Sequence, residues 1–222
     1  EPLAAGRIEV AGRPAGRSNR DIGYIQQQRR LDARTPLRAR DVVRQGLDGH
    51  RWGIARPGRV PWGRVRAALA AVDATNHADV PVGLLSGGEQ QRVRVAQAIV
   101  ADPALLLCDE PLLSLDVSSQ QTIAGLVDRR RREHGTAVLF VTHEINPILP
   151  YVDRILYLVD GRFRLGTPAE VLTSETLSEL YRSPVEVIRR DGLVLVAGLP
   201  APADAHGTRW HDDGLRAEPL VS

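Results

Sequence analysis

Asp109 and Glu110 stand side by side at the end of an apolar run, Leu105-Leu106-Leu107-Cys108. A carboxylate at a strand end can give an oxygen ligand to a hard divalent cation. A second carboxylate can take a proton from an attacking water. Side chains alternate direction along a strand, so the pair divides naturally into a metal ligand, Asp109, and a base, Glu110. An acidic pair ahead of the Pro111 turn could equally be no more than a strand terminus. The flanking residues favour chemistry. Phe140-Val141-Thr142-His143 puts a histidine at the end of a second apolar run, and Ile22-Gly23-Tyr24-Ile25-Gln26-Gln27 puts a glutamine just past a third. Three strand ends thus carry glutamine, an acid pair and histidine, a set that can position and deprotonate a water.

A second constellation is Leu85-Ser86-Gly87-Gly88-Glu89. Ser86 can cap a helix, and the two glycines bare the first amides of that helix. Bare N–H groups at a helix N-terminus attract anions. Glycine in a helical turn costs about 1 kcal/mol per residue, a cost that points to close approach by a ligand. A plain capped helix is the alternative.

The elements that must hold these residues follow from pattern. Ile8–Val10 and Ile22–Ile25 read as short strands. Thr35 as N-cap and Pro36 at the first helical position start a helix that runs to Gly46. Residues 47–60 read as a loop and Pro61 to about Val72 as a helix. The helix capped by Ser86 runs to about Ala101, with Val93, Ala96 and Val100 on one face. The run at 105–108 predicts a strand buried on both faces, as in a parallel sheet. Val117 to about Glu133 forms a helix with Ile123, Leu126 and Val127 inward, closed by His134-Gly135. Ala137–Val141 is a second buried strand. Ile155–Val159 and Arg162–Arg164 form a hairpin through Asp160-Gly161. Residues 168–182 hold two short helices, and 199–222 read as a poorly ordered tail. Strands alternating with helices predict an α/β fold whose ligands sit at the carboxyl ends of the strands.

Composition narrows the classes. The chain has 222 residues, enough for one domain and an extension, and 43% are hydrophobic. No apolar run is long enough to cross a bilayer. One cysteine, Cys108, precludes an internal disulfide and suits a reducing compartment. It reads as a small core residue. Net charge is +2, so nucleic acid is not expected as a partner, and the run Arg129–Arg132 reads as a solvated helix face. His206, His211, Asp212 and Asp213 could suit zinc, but their loose spacing fits an unstructured tail better.

Taken together, the strings around Gln27, Ser86, Asp109, Asp116 and His143 resemble the Q-loop, signature motif, Walker B motif, D-loop and H-loop of ATP-binding cassette (ABC) ATPases. They do so in that order, over about residues 5–165. The resemblance implies an α/β P-loop NTPase fold of the ABC nucleotide-binding type, with a helical subdomain at about 35–100 and an extension at 166–198. It implies ATP and Mg²⁺ as cofactors. Asp109 and Gln27 would hold Mg²⁺, with Gln27 also sensing the attacking water. Glu110 would be the general base and His143 the switch histidine. Ser86, Gly87, Gly88 and Glu89, with Asp116 of the D-loop Leu113-Ser114-Leu115-Asp116, would meet the nucleotide of a partner subunit. The implied partners are a second ABC ATPase subunit and transmembrane permease subunits, with a solute-binding protein acting indirectly. The place of work would be the cytoplasmic face of the cell membrane.

Thr35–Val43, Thr142–Pro147 and Leu149–Arg154 are similar to ATP-binding subunits of zinc and manganese importers, in which such residues do not touch the transported metal. Other readings are a non-transport ABC ATPase, or a catalytically silent subunit that lends only its signature motif. The P-loop GxxxxGK[ST] is nowhere in the chain, which has no lysine at all. The expectation is therefore an N-terminally truncated cassette without its first strand, P-loop and following helix. Residues 1–222 alone would turn over ATP negligibly, and core surface would be left bare.

Overall fold

A computed structural model describes residues 5–14, 21–27, 32, 34–48 and 61–198. It divides into two compact units between Val152 and Asp153.

The first unit opens with two short antiparallel strands, β1 (Glu9–Val10) and β2 (Arg13–Pro14). β3 (Ile22–Ile25) follows, then the helices α1 (Ala39–Asp48), α2 (Trp62–Ala71) and α3 (Gly87–Ile99). β4 (Leu105–Asp109), α4 (Val117–His134) and β5 (Ala137–Val141) complete it. Helix α1 begins three residues later than the Pro36 signal predicts. The residues ahead of it are spent on pairing: Arg38 bridges Pro81, and the Val82 amide donates to the Leu37 carbonyl at 2.8 Å. Helix α2 starts at Trp62, whose ring lies under the Arg40 guanidinium at 5.6 Å.

The central sheet is parallel, in the order β3-β4-β5. Its register places Gly23 beside Leu106 and Leu106 beside Val138, with Ile25, Cys108 and Phe140 two residues on. This face carries the core together with Val93, Ala96, Ile123 and Val127 from α3 and α4. Leu106 and Cys108 are buried, and burial pushes the Cys108 thiol up to about 12. The opposite face departs from the expectation of strands buried on both sides. Tyr24, Leu139 and Val141 are 55%, 54% and 52% exposed, so among the described residues only one face of the sheet is covered.

The arginine run is also not uniformly solvated. Arg130 is buried, pairs with Asp102 and donates to Thr136 Oγ1 at 3.1 Å. It thereby ties the end of α4 to the turn before β4. Arg131 and Arg132 converge on the buried carboxylate of Asp128 at 2.9 and 2.8 Å.

The second unit contains the hairpin β6 (Ile155–Val159) and β7 (Arg162–Gly166), the helices α5 (Pro168–Val171) and α6 (Ser174–Tyr181), and a second hairpin, β8 (Val185–Arg190) and β9 (Leu193–Gly198). Leu177, Leu180 and Val185 form its core. Both hairpins turn on Asp-Gly pairs with positive φ, 45° and 76° at Asp160-Gly161 and 50° and 81° at Asp191-Gly192. That is the conformation a two-residue type I′ turn requires. His206, His211, Asp212, Asp213 and Trp52 lie outside the described residues.

Candidate active site at the strand ends

The sheet delivers the predicted residues to one edge. β3, β4 and β5 run parallel, so their carboxyl ends lie together; Asp109 closes β4, and Gln27, Glu110 and His143 follow the three ends. The Gln27 amide donates from Nε2 to Glu110 Oε2 at 3.0 Å. His143 Nδ1 sits 3.4 Å from Glu110 Oε1. Both oxygens of Glu110 are thus addressed, one from each flanking strand end.

Glu110 itself leaves the strand with φ +43°, in the left-handed region. Its amide still bonds the Val141 carbonyl at 2.9 Å. A non-glycine residue there is strained. The strain turns Glu110 out of the pleat while Asp109 stays in it, and the two neighbouring acids take different partners.

Asp109 has a partner that sequence reasoning missed. Tyr24 lies opposite Leu107 in the register, so Asp109 is its diagonal neighbour on the same exposed face, within reach of a long aromatic side chain. The Tyr24 hydroxyl donates to Asp109 Oδ2 at 3.0 Å. That hydrogen bond, followed by burial and the carboxylate charge, raises the Tyr24 phenol above its ordinary value. Strand register was the only sequence signal that could have found it, and it needed the pairing to be known.

The donor set suits a hard cation that completes its shell elsewhere. Asp109 keeps Oδ1 unengaged among the described residues, and Gln27 keeps its carbonyl oxygen while its amide is used. Two such oxygens fit Mg²⁺, which is commonly held by few protein ligands plus waters and substrate phosphates. No group of three or more His, Cys, Asp or Glu side chains placed to hold a metal occurs among the described residues.

The signature turn is built separately. Ser86 caps α3: its hydroxyl accepts from the Glu89 amide at 3.3 Å, while Glu89 Oε2 accepts from the Ser86 amide at 2.8 Å. The Ser86 backbone N–H, with the Ser86 side chain, holds the Glu89 carboxyl below its ordinary value. Its other oxygen lies 3.2 Å from His77 Nε2. The Glu89 carboxylate is therefore committed within its own chain. Gly88 also has an internal reason to be glycine: a Cβ there would lie 2.7 Å from Ser119 Oγ. Asp116, at the end of the D-loop stretch, caps α4 through Ser119, accepting from its amide at 2.9 Å and from its hydroxyl at 2.7 Å. The hydroxyl bond, then the amide bond, lowers the Asp116 carboxyl.

A profile of the ABC transporter family matches residues 1–113. The chain belongs to that family. Among ABC relatives, the zinc transport system ATP-binding protein TroB of Treponema pallidum is 33% identical over 180 residues, covering 81% of this chain and 67% of TroB. The hemin import ATP-binding protein HmuV of Rhodococcus jostii is 39% identical over 181 residues, covering 77% of this chain and 61% of HmuV. The chain thus spans less than two thirds of that hemin relative. The solved structure of an inward-facing metal-chelate type ABC transporter superposes with a TM-score of 0.66 at 26% identity, covering 82% of this chain and 72% of that one. The fold is accordingly the α/β P-loop NTPase fold of ABC ATPases.

Proposed function

We propose that this chain is the ATP-binding and ATP-hydrolysing subunit of an ABC importer, working at the cytoplasmic face of a membrane beside permease subunits and a second ATPase subunit. The observation that carries the reading is the double engagement of Glu110 by Gln27 and His143 at the ends of three parallel strands. In the hydrolytic step, a water oxygen bonds to the γ-phosphorus of ATP while the bond to the β,γ-bridging oxygen breaks. ADP departs with that electron pair, and the water proton passes to Glu110. Gln27 orients the Glu110 carboxylate, and His143 supports its other oxygen. Asp109 and Gln27 would hold Mg²⁺, which would supply charge neutralisation on the phosphates. The signature turn, Ser86 to Glu89, and Asp116 face the nucleotide of the partner subunit.

Zinc or manganese is the proposed cargo, supported by TroB and by a 27% identical manganese transport ATP-binding protein, MntB of Halalkalibacterium halodurans. The similarity to hemin importers makes a metal chelate the competing cargo. Uptake of labelled zinc or manganese against hemin, with the permease co-expressed, separates the two.

The test of the ATPase reading is nucleotide turnover of the protein expressed from its full reading frame. Glu110→Gln is expected to reduce turnover at least about a hundredfold, the lower range for losing a general base, with ATP binding retained. Unchanged turnover overturns the reading. Residues 1–222 alone, having no GxxxxGK[ST] and no lysine, are expected to release negligible phosphate. Turnover that Glu110→Gln abolishes would reverse that expectation. The missing lysine favours one second reading, a subunit that lends only its signature turn. That reading predicts that Glu110→Gln is silent in the full protein while Ser86→Arg blocks the partner's turnover.

A further inference from the structure

Gly88 and Asp116 belong to different strings of the sequence, 28 residues apart, and each has been assigned its own contact with the nucleotide across the subunit boundary. One side chain touches both. The Ser119 hydroxyl donates to Asp116 Oδ2 at 2.7 Å, and the Ser119 amide donates to Asp116 Oδ1 at 2.9 Å. The same hydroxyl oxygen lies 2.7 Å, and the Ser119 Cβ 3.3 Å, from where a Cβ on Gly88 would stand. Real Cβ atoms do not approach an oxygen that closely, so the first turns of α3 and α4 pack at a point where a Cβ on Gly88 would force the Ser119 hydroxyl or one of the two turns to shift.

We propose that Ser119 is a positioning residue that couples the signature turn to the D-loop, so that the two parts offered to the partner's nucleotide move as one body. The part played at that nucleotide rests on the function proposed above; the coupling itself does not. Three features make Ser119 suited to the task. It sits in the first turn of α4, which Asp116 caps, so its position is set by the end of the D-loop. Its hydroxyl is committed to Asp116 and has little freedom to swing away from Gly88. The facing turn of α3 is fixed by the reciprocal cap between Ser86 and Glu89 and by His77, so a push on Gly88 displaces a stiff element rather than a loose loop. Packed elements of this kind shift between discrete arrangements more readily than they deform.

The experiment is amide hydrogen exchange on residues 1–222 without nucleotide, read at Glu89 and Gln90. Their amides are bonded to the Ser86 hydroxyl and carbonyl. Asp116→Ala, a change in α4's cap only, is expected to speed exchange at these α3 amides about fivefold or more, the range of a measurable coupling between sites. The same substitution in a Ser119→Ala background is expected to add less than about twofold, because the link is already cut. Exchange at Glu89 and Gln90 that ignores Asp116→Ala, or that responds equally in both backgrounds, overturns the proposal.

A second arm does not depend on exchange. Gly88→Ala is expected to lower the thermal midpoint, and adding Ser119→Ala is expected to restore most of the loss by removing the clashing oxygen. Equal midpoints for Gly88→Ala with and without Ser119→Ala would show that the contact is not the constraint. Neither arm involves ATP, so a failed ATPase assay leaves this test standing, and a failed coupling leaves the ATPase reading standing.

Discussion

Glu110 and Glu89 are two glutamates in one unit, each with both oxygens engaged, and they are held in opposite ways. Glu110 is met by Gln27 from 83 residues upstream and by His143 from 33 residues downstream. Glu89 is met by an amide three residues before it and by His77. The first arrangement exists only when three strands are in register. The second is a capping box that a helix start can make from its own residues. The contacts of Glu110 depend on the global fold, whereas those of Glu89 are made largely at its own helix start.

The largest break in this comparison comes from the sheet. Leu106 is fully buried at the centre of the covered face, and Leu106→Ala is expected to cost about 3 kcal/mol, measured by urea unfolding. Exchange protection at the ends of β3 and β5 should fall with it, while the α3 cap amides change far less than the strand amides. Ser86→Ala is expected to cost about 1 kcal/mol and to reverse that pattern, loosening Glu89 and Gln90 and sparing the strand ends. Glu110→Gly sharpens the contrast from the other side. Glycine accepts φ +43° without the Cβ conflict, so relief of left-handed strain, offset by glycine's extra unfolded freedom, should raise stability by about 0.5 kcal/mol. A rise in the thermal midpoint alongside lost turnover would mark Glu110 as held in strain for its chemistry. A lower midpoint would show that its two hydrogen-bonding partners outweigh the strain.

The smallest expected effect is in acid. The Glu89 carboxyl is held below its ordinary value of 4.5 by the Ser86 amide. A lowered acid contributes stability that is fully present above the ordinary value and is lost as pH falls through the lower folded value. The α3 start should therefore loosen only below about pH 4.5, and Glu89→Gln should flatten that dependence in a pH series of exchange rates.

The parts of this molecule legible in its sequence were those coded locally. Ser86 and Glu89 three residues apart spell a cap, Gly135 closes α4 with φ +62°, and Asp160-Gly161 makes a hairpin turn. The gathering of Gln27, Asp109, Glu110 and His143 at one sheet edge was legible because each ends or follows its own apolar run. The contacts that needed register were not legible. Tyr24 reaches Asp109 only because β3 and β4 pair with Tyr24 beside Leu107. Arg130 is buried only because Asp102 and Thr136 close around it, and a run of four arginines gives no hint of which one turns inward. Proline at position 36 promised a helix start that the bridge from Arg38 to Pro81 delayed. Asp191-Gly192 did carry the turn signal for the β8–β9 hairpin, but Arg189 and Arg190 hid the alternation that would have marked the strand before it. The close approach of Ser119 Oγ, 2.7 Å from where a Cβ on Gly88 would stand, was not legible either.

Cys108 gives this architecture a built-in clock. It is the only thiol in 222 residues, it lies one position before Asp109 on β4, and its proton is held up to about 12. Alkylating dyes attack the thiolate, so the folded strand is nearly mute to them. Each labelling event then records one excursion in which β4 lifts from α3 and α4. The rate of colour appearing in a cuvette becomes a gauge of the fraction of time the floor beneath the two acids spends open.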